Sequence, residues 1–196
     1  QTHTRQISLT LYGEKIMALT TFSGPVKSLG GFIESGFNNV VDATAALTLG
    51  ALTLTVNDHS GKQLTLSADG GTLTLPTIVA TAPTDTTNPT QLNNLGMTFQ
   101  FTVLTLLTTS LVINTGAVTD LLYGTVSLAD DANDEGASGT FSSATTNSIT
   151  LNGSTQGGAP GSVITLTAVG AAAWKVEGIS VFPTASVPAT PFSTRV

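Results

Sequence analysis

Apolar and polar residues alternate in short runs along most of the chain. Ile7, Leu9 and Leu11 alternate with Ser8 and Thr10, which predicts a short strand over residues 6–12, either local to its own domain or added to a neighbouring sheet. From Ala46 the alternation strengthens, with Leu47 and Leu49 in one phase and Leu52, Leu54 and Val56 in the other. The phase slip at Gly50-Ala51 requires a bulge or a tight turn, because one inserted residue sends every following side chain to the opposite face. Residues 57–61 then read as a turn. Residues 62–67 and 72–75 read as two strands of a hairpin closed by Asp69-Gly70-Gly71.

Met97, Phe99, Phe101 and Val103 share one face and Thr98, Gln100 and Thr102 the other, and a second run at residues 111–113 suggests a meander or hairpin. Further short strands are expected at 123–128, 148–151, 162–167, 173–176 and 179–182, separated by Gly-rich turns. Helical periodicity is missing after Asp42. The expected fold is therefore all-β, an antiparallel β-sandwich or barrel-like domain or domains with an extended N-terminal arm. Leu52, Leu54, Phe99, Phe101, Val103, Leu166, Trp174 and Val176 are the expected core. Trp174 alternates with Lys175 and Glu177, which places its ring inside rather than on a sugar-binding platform.

Composition changes divide the chain further. Residues 1–45 scatter glycines among isolated apolar residues, a pattern suited to an anchoring arm, with residues 46–82 as a first β region. Residues 83–91, with Pro83 and Pro89 among threonines, form the linker candidate. Residues 92–182 form the main β region, and 183–196, with Pro188 and Pro191, an extended tail.

The chain of 196 residues has no cysteine and only two histidines, so thiolate zinc sites, disulfides, cysteine nucleophiles and three-histidine metal centres are excluded. Charged residues are only 9 % while 36 threonines, 17 serines and 20 glycines supply the surface. Copies with so few charges repel one another little, which suits a component of a fixed assembly. Net charge of −6 with six scattered cations gives no phosphate-tracking patch, so no nucleic acid partner is expected. No run of eighteen apolar residues occurs and residues 16–19 are too short for a signal-peptide core, so neither a membrane partner nor export is expected.

Candidate chemistry is sparse. Asp131, Asn133, Glu135 and Gly136 resemble the first half of a calcium loop, but the twelfth position is Ser142 rather than a closing glutamate, so a solvated acidic loop is the better reading. Asp58, His59 and Ser60 are consecutive and so point in different directions, which makes His59 a solvent-facing turn residue rather than a base. Asn152-Gly153-Ser154 fits a glycosylation acceptor but reads more simply as a turn, as does the segment 157–161. No catalytic residue, metal or cofactor is expected.

Residues 120–130 (DLLYGTVSLAD), 139–141 (GTF), 148–153 (SITLNG), 157–158 (GG), 161–166 (GSVITL) and 173–178 (AWKVEG) together resemble the C-terminal part of small capsid decoration proteins of marine tailed bacteriophages. Residues 21–28 (TFSGPVKS) followed by Gly31-Phe32 resemble their opening. The resemblance implies a head-stabilising, non-enzymatic virion protein, a homotrimer on the outer surface of an icosahedral capsid, clamping adjacent major capsid proteins. Phe22, Pro25, Val26, Leu29, Phe32, Ile33 and Phe37 are then the expected capsid contacts. A phage fibre or tail β-domain recognising a host glycan is the alternative.

Overall fold

A computed structural model of the chain describes residues 40–43, 50–67, 70–80, 93–130, 138–183 and 187–195. These carry twelve strands and one helical turn: β1 (Val40–Asp42), β2 (Ala51–Thr53), α1 (Val56–His59), β3 (Gln63–Leu66), β4 (Gly71–Thr74), β5 (Thr98–Val103), β6 (Leu111–Asn114), β7 (Leu121–Asp130), β8 (Ser138–Phe141), β9 (Ser148–Leu151), β10 (Val163–Gly170), β11 (Ala173–Phe182) and β12 (Phe192–Ser193). The fold is mostly β and consists of two sheets. Seven strands run in the order β1-β3-β5-β10-β11-β7-β8, and five in the order β12-β9-β6-β4-β2.

The first six strands alternate between the sheets. Each passage through the five-stranded sheet returns the chain to the seven-stranded one in its original direction, so β1, β3 and β5 pair in parallel, as do β2, β4 and β6. The opposite sheet thereby supplies the crossover that a parallel pair needs, a role often taken by a helix. This overturns the hairpin expected over 62–75 and the one expected over 97–113. β3 and β4 lie in different sheets, as do β5 and β6. Gly70 and Gly71, at φ of +75° and +101°, turn the chain from one sheet to the other rather than back beside itself. The antiparallel expectation holds from β9 and β10 outward, where β5–β10, β10–β11, β6–β9, β9–β12 and β7–β8 are antiparallel; β11 and β7 add a ten-residue parallel pair.

Burial follows the pleat. Along β5 Phe99, Phe101 and Val103 are buried while Gln100 is exposed, and along β10 Ile164, Leu166 and Ala168 point inward. These side chains join Leu64, Leu66, Leu73, Leu75, Leu111, Ile113, Ile149 and Leu151 in a core that draws on both sheets. Leu54, Phe99, Phe101, Val103, Leu166, Trp174 and Val176 are all buried, and Leu52 is partly buried against the same core. Phe99 and Trp174 meet with ring centroids 5.9 Å apart and planes tilted by 57°, in the range favoured by aromatic quadrupoles.

Several polar side chains are buried and partnered. Ser162 Oγ donates to the Ala159 carbonyl at 2.7 Å and accepts from Val181 N–H at 2.8 Å. Asn147 donates to the Val118 carbonyl at 3.0 Å and accepts from Arg195 N–H at 2.6 Å, tying the C-terminal stretch to β9. The tail thus contributes β12, which pairs with β9 and seats Phe192 in the core. Asn94 fastens residues 77–80 with its side chain, accepting from Val79 N–H at 2.7 Å and donating to the Thr77 carbonyl at 3.0 Å. Asn94 N–H also donates to the Val79 carbonyl, so the chain leaves near residue 80 and re-enters beside it near residue 93.

Candidate functional site

Among the described residues, Asp58, His59 and Ser60 take part in local structure. Thr55 caps α1: its Oγ1 accepts from Asp58 N–H at 3.2 Å and donates to Asp58 Oδ2 at 2.6 Å. His59 Nδ1 accepts from Thr55 N–H at 3.0 Å, so the ring folds back on its own turn. Ser60 Oγ accepts from Thr98 N–H at 3.1 Å, away from the imidazole's partner. Asp58 and His59 thus converge on Thr55, whose Oγ1 lies 3.3 Å from His59 Nδ1, contrary to the divergence expected of consecutive residues, and only Ser60 turns away, to Thr98. The acidic segment around Asp131, Asp134 and Glu135 lies outside the described residues, and among the described residues no three His, Asp or Glu groups lie close enough together to hold a metal ion.

Asn152 is engaged as well. Its Oδ1 accepts from Ser154 and Gln156 N–H, both at 2.9 Å, and its Nδ2 donates to Thr155 Oγ1 at 3.3 Å. Gly153 N–H donates to the Gly157 carbonyl at 2.7 Å and closes this tight loop. The amide is therefore a structural member of the turn, with its donor committed.

Clefts on the described surface include two of moderate size. One of about 320 Å³ is lined by Val40, Gly61, Lys62, Gln63, Thr98 and Gln100, the other of about 520 Å³ by Thr55, Val56, Asn57, Val79, Asn93 and Asn94. Neither lining brings in a carboxylate or an imidazole; the walls offer amide, hydroxyl and apolar contacts, with the Lys62 ammonium as the single charged group of the first cleft.

The extended surface is the outward face of the seven-stranded sheet. Its registers place Val40, Gln63, Gln100, Thr165, Glu177, Thr125 and Phe141 in one unbroken cross-strand row. At the usual strand spacing that row is about 29 Å wide. Its centre is hydroxyl and amide, and each end is apolar, with Val40 57 % and Phe141 74 % exposed. The next row toward Trp174 carries Thr98, Thr167, Lys175 and Tyr123. Side chains on this face bond to one another: Gln63 Nε2 donates to Thr102 Oγ1 at 2.7 Å, and the Thr98 and Thr167 hydroxyls lie 3.2 Å apart. Lys175 Nζ and Glu177 Oε2 are 2.5 Å apart, which cancels the charge of both. With each side chain more than half exposed, the pair contributes little to stability, and its effect is to keep the face neutral.

Two aromatic rings stand on this face. Tyr123 is 49 % exposed, and its position opposite in phase to buried Leu122 and Val126 is readable from the alternation of β7. Phe141 closes a four-residue strand too short for a pattern to reveal its direction. The seven expected contact residues, Phe22, Pro25, Val26, Leu29, Phe32, Ile33 and Phe37, lie outside the described residues. No protein-family model, curated protein or solved structure matches the chain.

Proposed function

We propose that this is a virion structural protein without catalytic activity, bound as a trimer to the outside of an icosahedral phage head and clamping adjacent major capsid proteins. In this reading the two sheets are the layers of a sandwich-like body, and residues 1–45 are the arm that anchors it. The observation that carries the proposal is the neutral outward row crossing all seven strands, hydroxyl and amide toward its centre and apolar at its ends, with its single carboxylate paired to a lysine. Such a face carries no net charge to desolvate and is nearly insensitive to salt, so many modest hydrogen-bonded contacts repeated over a shell sum to firm attachment through multivalency. The sequence resemblance to decoration proteins supports the same assignment.

The test is addition of the full-length protein to undecorated phage heads, followed by co-sedimentation and imaging. A regular lattice on the shell is the expected result, and absence of binding at saturating protein overturns the reading. Replacing Phe22, Phe32 and Phe37 together by serine should weaken attachment about 100-fold if the arm holds the central contacts. Unchanged attachment would move the anchor to the sheet.

A glycan-recognising fibre domain is the second reading, favoured by the half-exposed Tyr123 ring beside the Lys175–Glu177 pair. An aromatic face flanked by a donor and an acceptor suits a sugar ring. Retention on an immobilised glycan that free sugar competes away, and that Tyr123→Ala abolishes, would favour this reading over the first.

A further inference from the structure

We infer that the cleft at the β1 end of the outward face is a carboxylate-binding site, which receives an aspartate or glutamate side chain of the protein on which that face docks; the choice of a protein partner rests on the docking function proposed for the face. Val40, Gln63 and Gln100, three members of the outward row, line the cleft together with Thr98, Gly61 and Lys62. Lys62 is partly buried there, and no carboxylate among the described residues pairs with it. Of the other cations among the described residues, Lys175 is paired with Glu177 and Arg195 lies in the C-terminal stretch. In a chain of net charge −6, an ammonium held in a cleft without a counter-ion is a receptor for an anionic group.

The donors left in the lining select the ligand. Gln63 Nε2 is spent on Thr102 Oγ1 at 2.7 Å and on the Gln100 carbonyl at 3.3 Å, Thr98 Oγ1 on the Gly96 carbonyl at 3.2 Å, and Gly61 N–H on the Thr98 carbonyl at 2.8 Å. The side-chain amide of Gln100, an exposed residue, has no partner among the described residues. The Lys62 ammonium and the Gln100 amide therefore remain, and they match the two oxygens of one carboxylate. A phosphate dianion would keep a charge that no second cation of the lining meets, and a sugar acid would bring a ring of hydroxyls to donors already engaged. An acidic side chain asks for no more than these two donors, and its aliphatic stem has Val40, 57 % exposed, to cover. A face of repeated hydroxyls and amides looks much the same after a slip of one strand, whereas one ammonium at its end has a single matching position, so this contact sets the register of docking.

The test titrates N-acetylglutamate α-amide into the isotope-labelled full-length protein at constant ionic strength, followed by NMR, with N-acetylglutamine α-amide, glucuronate and inorganic phosphate as comparison ligands. Saturable shifts at residues 61–63 and at the Gln100 side-chain amide are expected with the glutamate compound, and none with its uncharged analogue. Lys62→Gln should weaken binding about tenfold, whereas Lys62→Arg, which keeps the charge, should change it by about threefold or less. Both variants keep a long side chain at a partly buried position, and unchanged resonances of the core strands report that they fold. Failure of the glutamate compound to saturate, binding indifferent to Lys62→Gln, or tighter binding of phosphate overturns the inference. Tighter binding of glucuronate overturns the protein partner in favour of an acidic sugar. Attachment to undecorated heads is read separately. If Lys62→Gln coats them as firmly as the natural chain in both dilute and concentrated salt, the inference falls and the proposed function stands. If the chain binds the glutamate compound through Lys62 yet ignores heads, the carboxylate site stands and the head is overturned as its partner.

Discussion

Gly153 is held at φ +66° with its Cα against the main chain of Leu107, so that a Cβ would overlap the Leu107 carbonyl oxygen. Rigid backbone on one side and a left-handed conformation on the other leave no cheap relaxation. Gly153→Ala is expected to cost about 3 kcal/mol, seen as a lower urea midpoint, whereas Gly161→Ala should cost only about 1–2 kcal/mol of conformational strain. The second value is smaller because Gly161, at φ +92°, has open space where the methyl would go. Trp174 supplies a second contrast. It is fully buried, yet no protein group accepts its indole N–H. Trp174→Phe removes that orphaned donor while leaving a modest void, so the two effects offset and the net loss should stay under about 1.5 kcal/mol; Trp174→Ala leaves the whole void and should cost about 3–5 kcal/mol. Thermal or urea unfolding of both variants checks the difference, and a loss with Phe as large as with Ala would mean that the indole itself, rather than the volume it fills, sets the site.

The strands themselves were legible because alternation is a local signal. Leu64 and Leu66 against Thr65, or Phe99, Phe101 and Val103 against Gln100, declare which side chains face the core whatever the strand's neighbours are. Sheet membership was not legible. A glycine pair at positive φ serves a hairpin and a step between sheets equally well, and nothing in residues 63–74 says that the partner of β3 lies 37 positions away at β5. The exposed face was half readable, since β7 is long enough to give Tyr123 a phase while β8 is too short to do so for Phe141. Edge elements also depend on single side chains. β12 has only two residues and is held by Phe192 and by Asn147, whose amide reaches both Val118 and Arg195. Asn147→Ala should therefore cost about 1–3 kcal/mol and, before global unfolding, raise amide exchange at residues 192–195 more than at β10 or β11. Equal exchange across these segments would show that the other ties of the tail, Phe192 in the core and Thr194 on the Thr145 carbonyl among them, secure it without the Asn147 side chain.

At the scale of the molecule, the alternating path of the first six strands has a consequence for integrity. Residues Asn38–Val196 form one compact unit. Within it β3 is hydrogen-bonded to β5 and β4 to β6, so the strands on either side of residues 81–92 are neighbours in both sheets. Their side chains meet in the shared core, where Leu64 and Leu73 from before that segment pack with Phe101 and Ile113 from after it. A specific protease site inserted between Thr87 and Asn88 should accordingly allow cleavage of the covalent chain without separation of its parts. The two fragments should co-elute at the size of the uncut protein and part only in denaturant. The expected stability loss comes from the unfolded state, where cutting removes the tether that limited the freedom of the two pieces, so the midpoint should become dependent on protein concentration. Fragments that separate in native buffer would mean that pairing across the two sheets is too weak to act without that tether, and that the chain connection, rather than the interleaved ladder, keeps the first rungs in place.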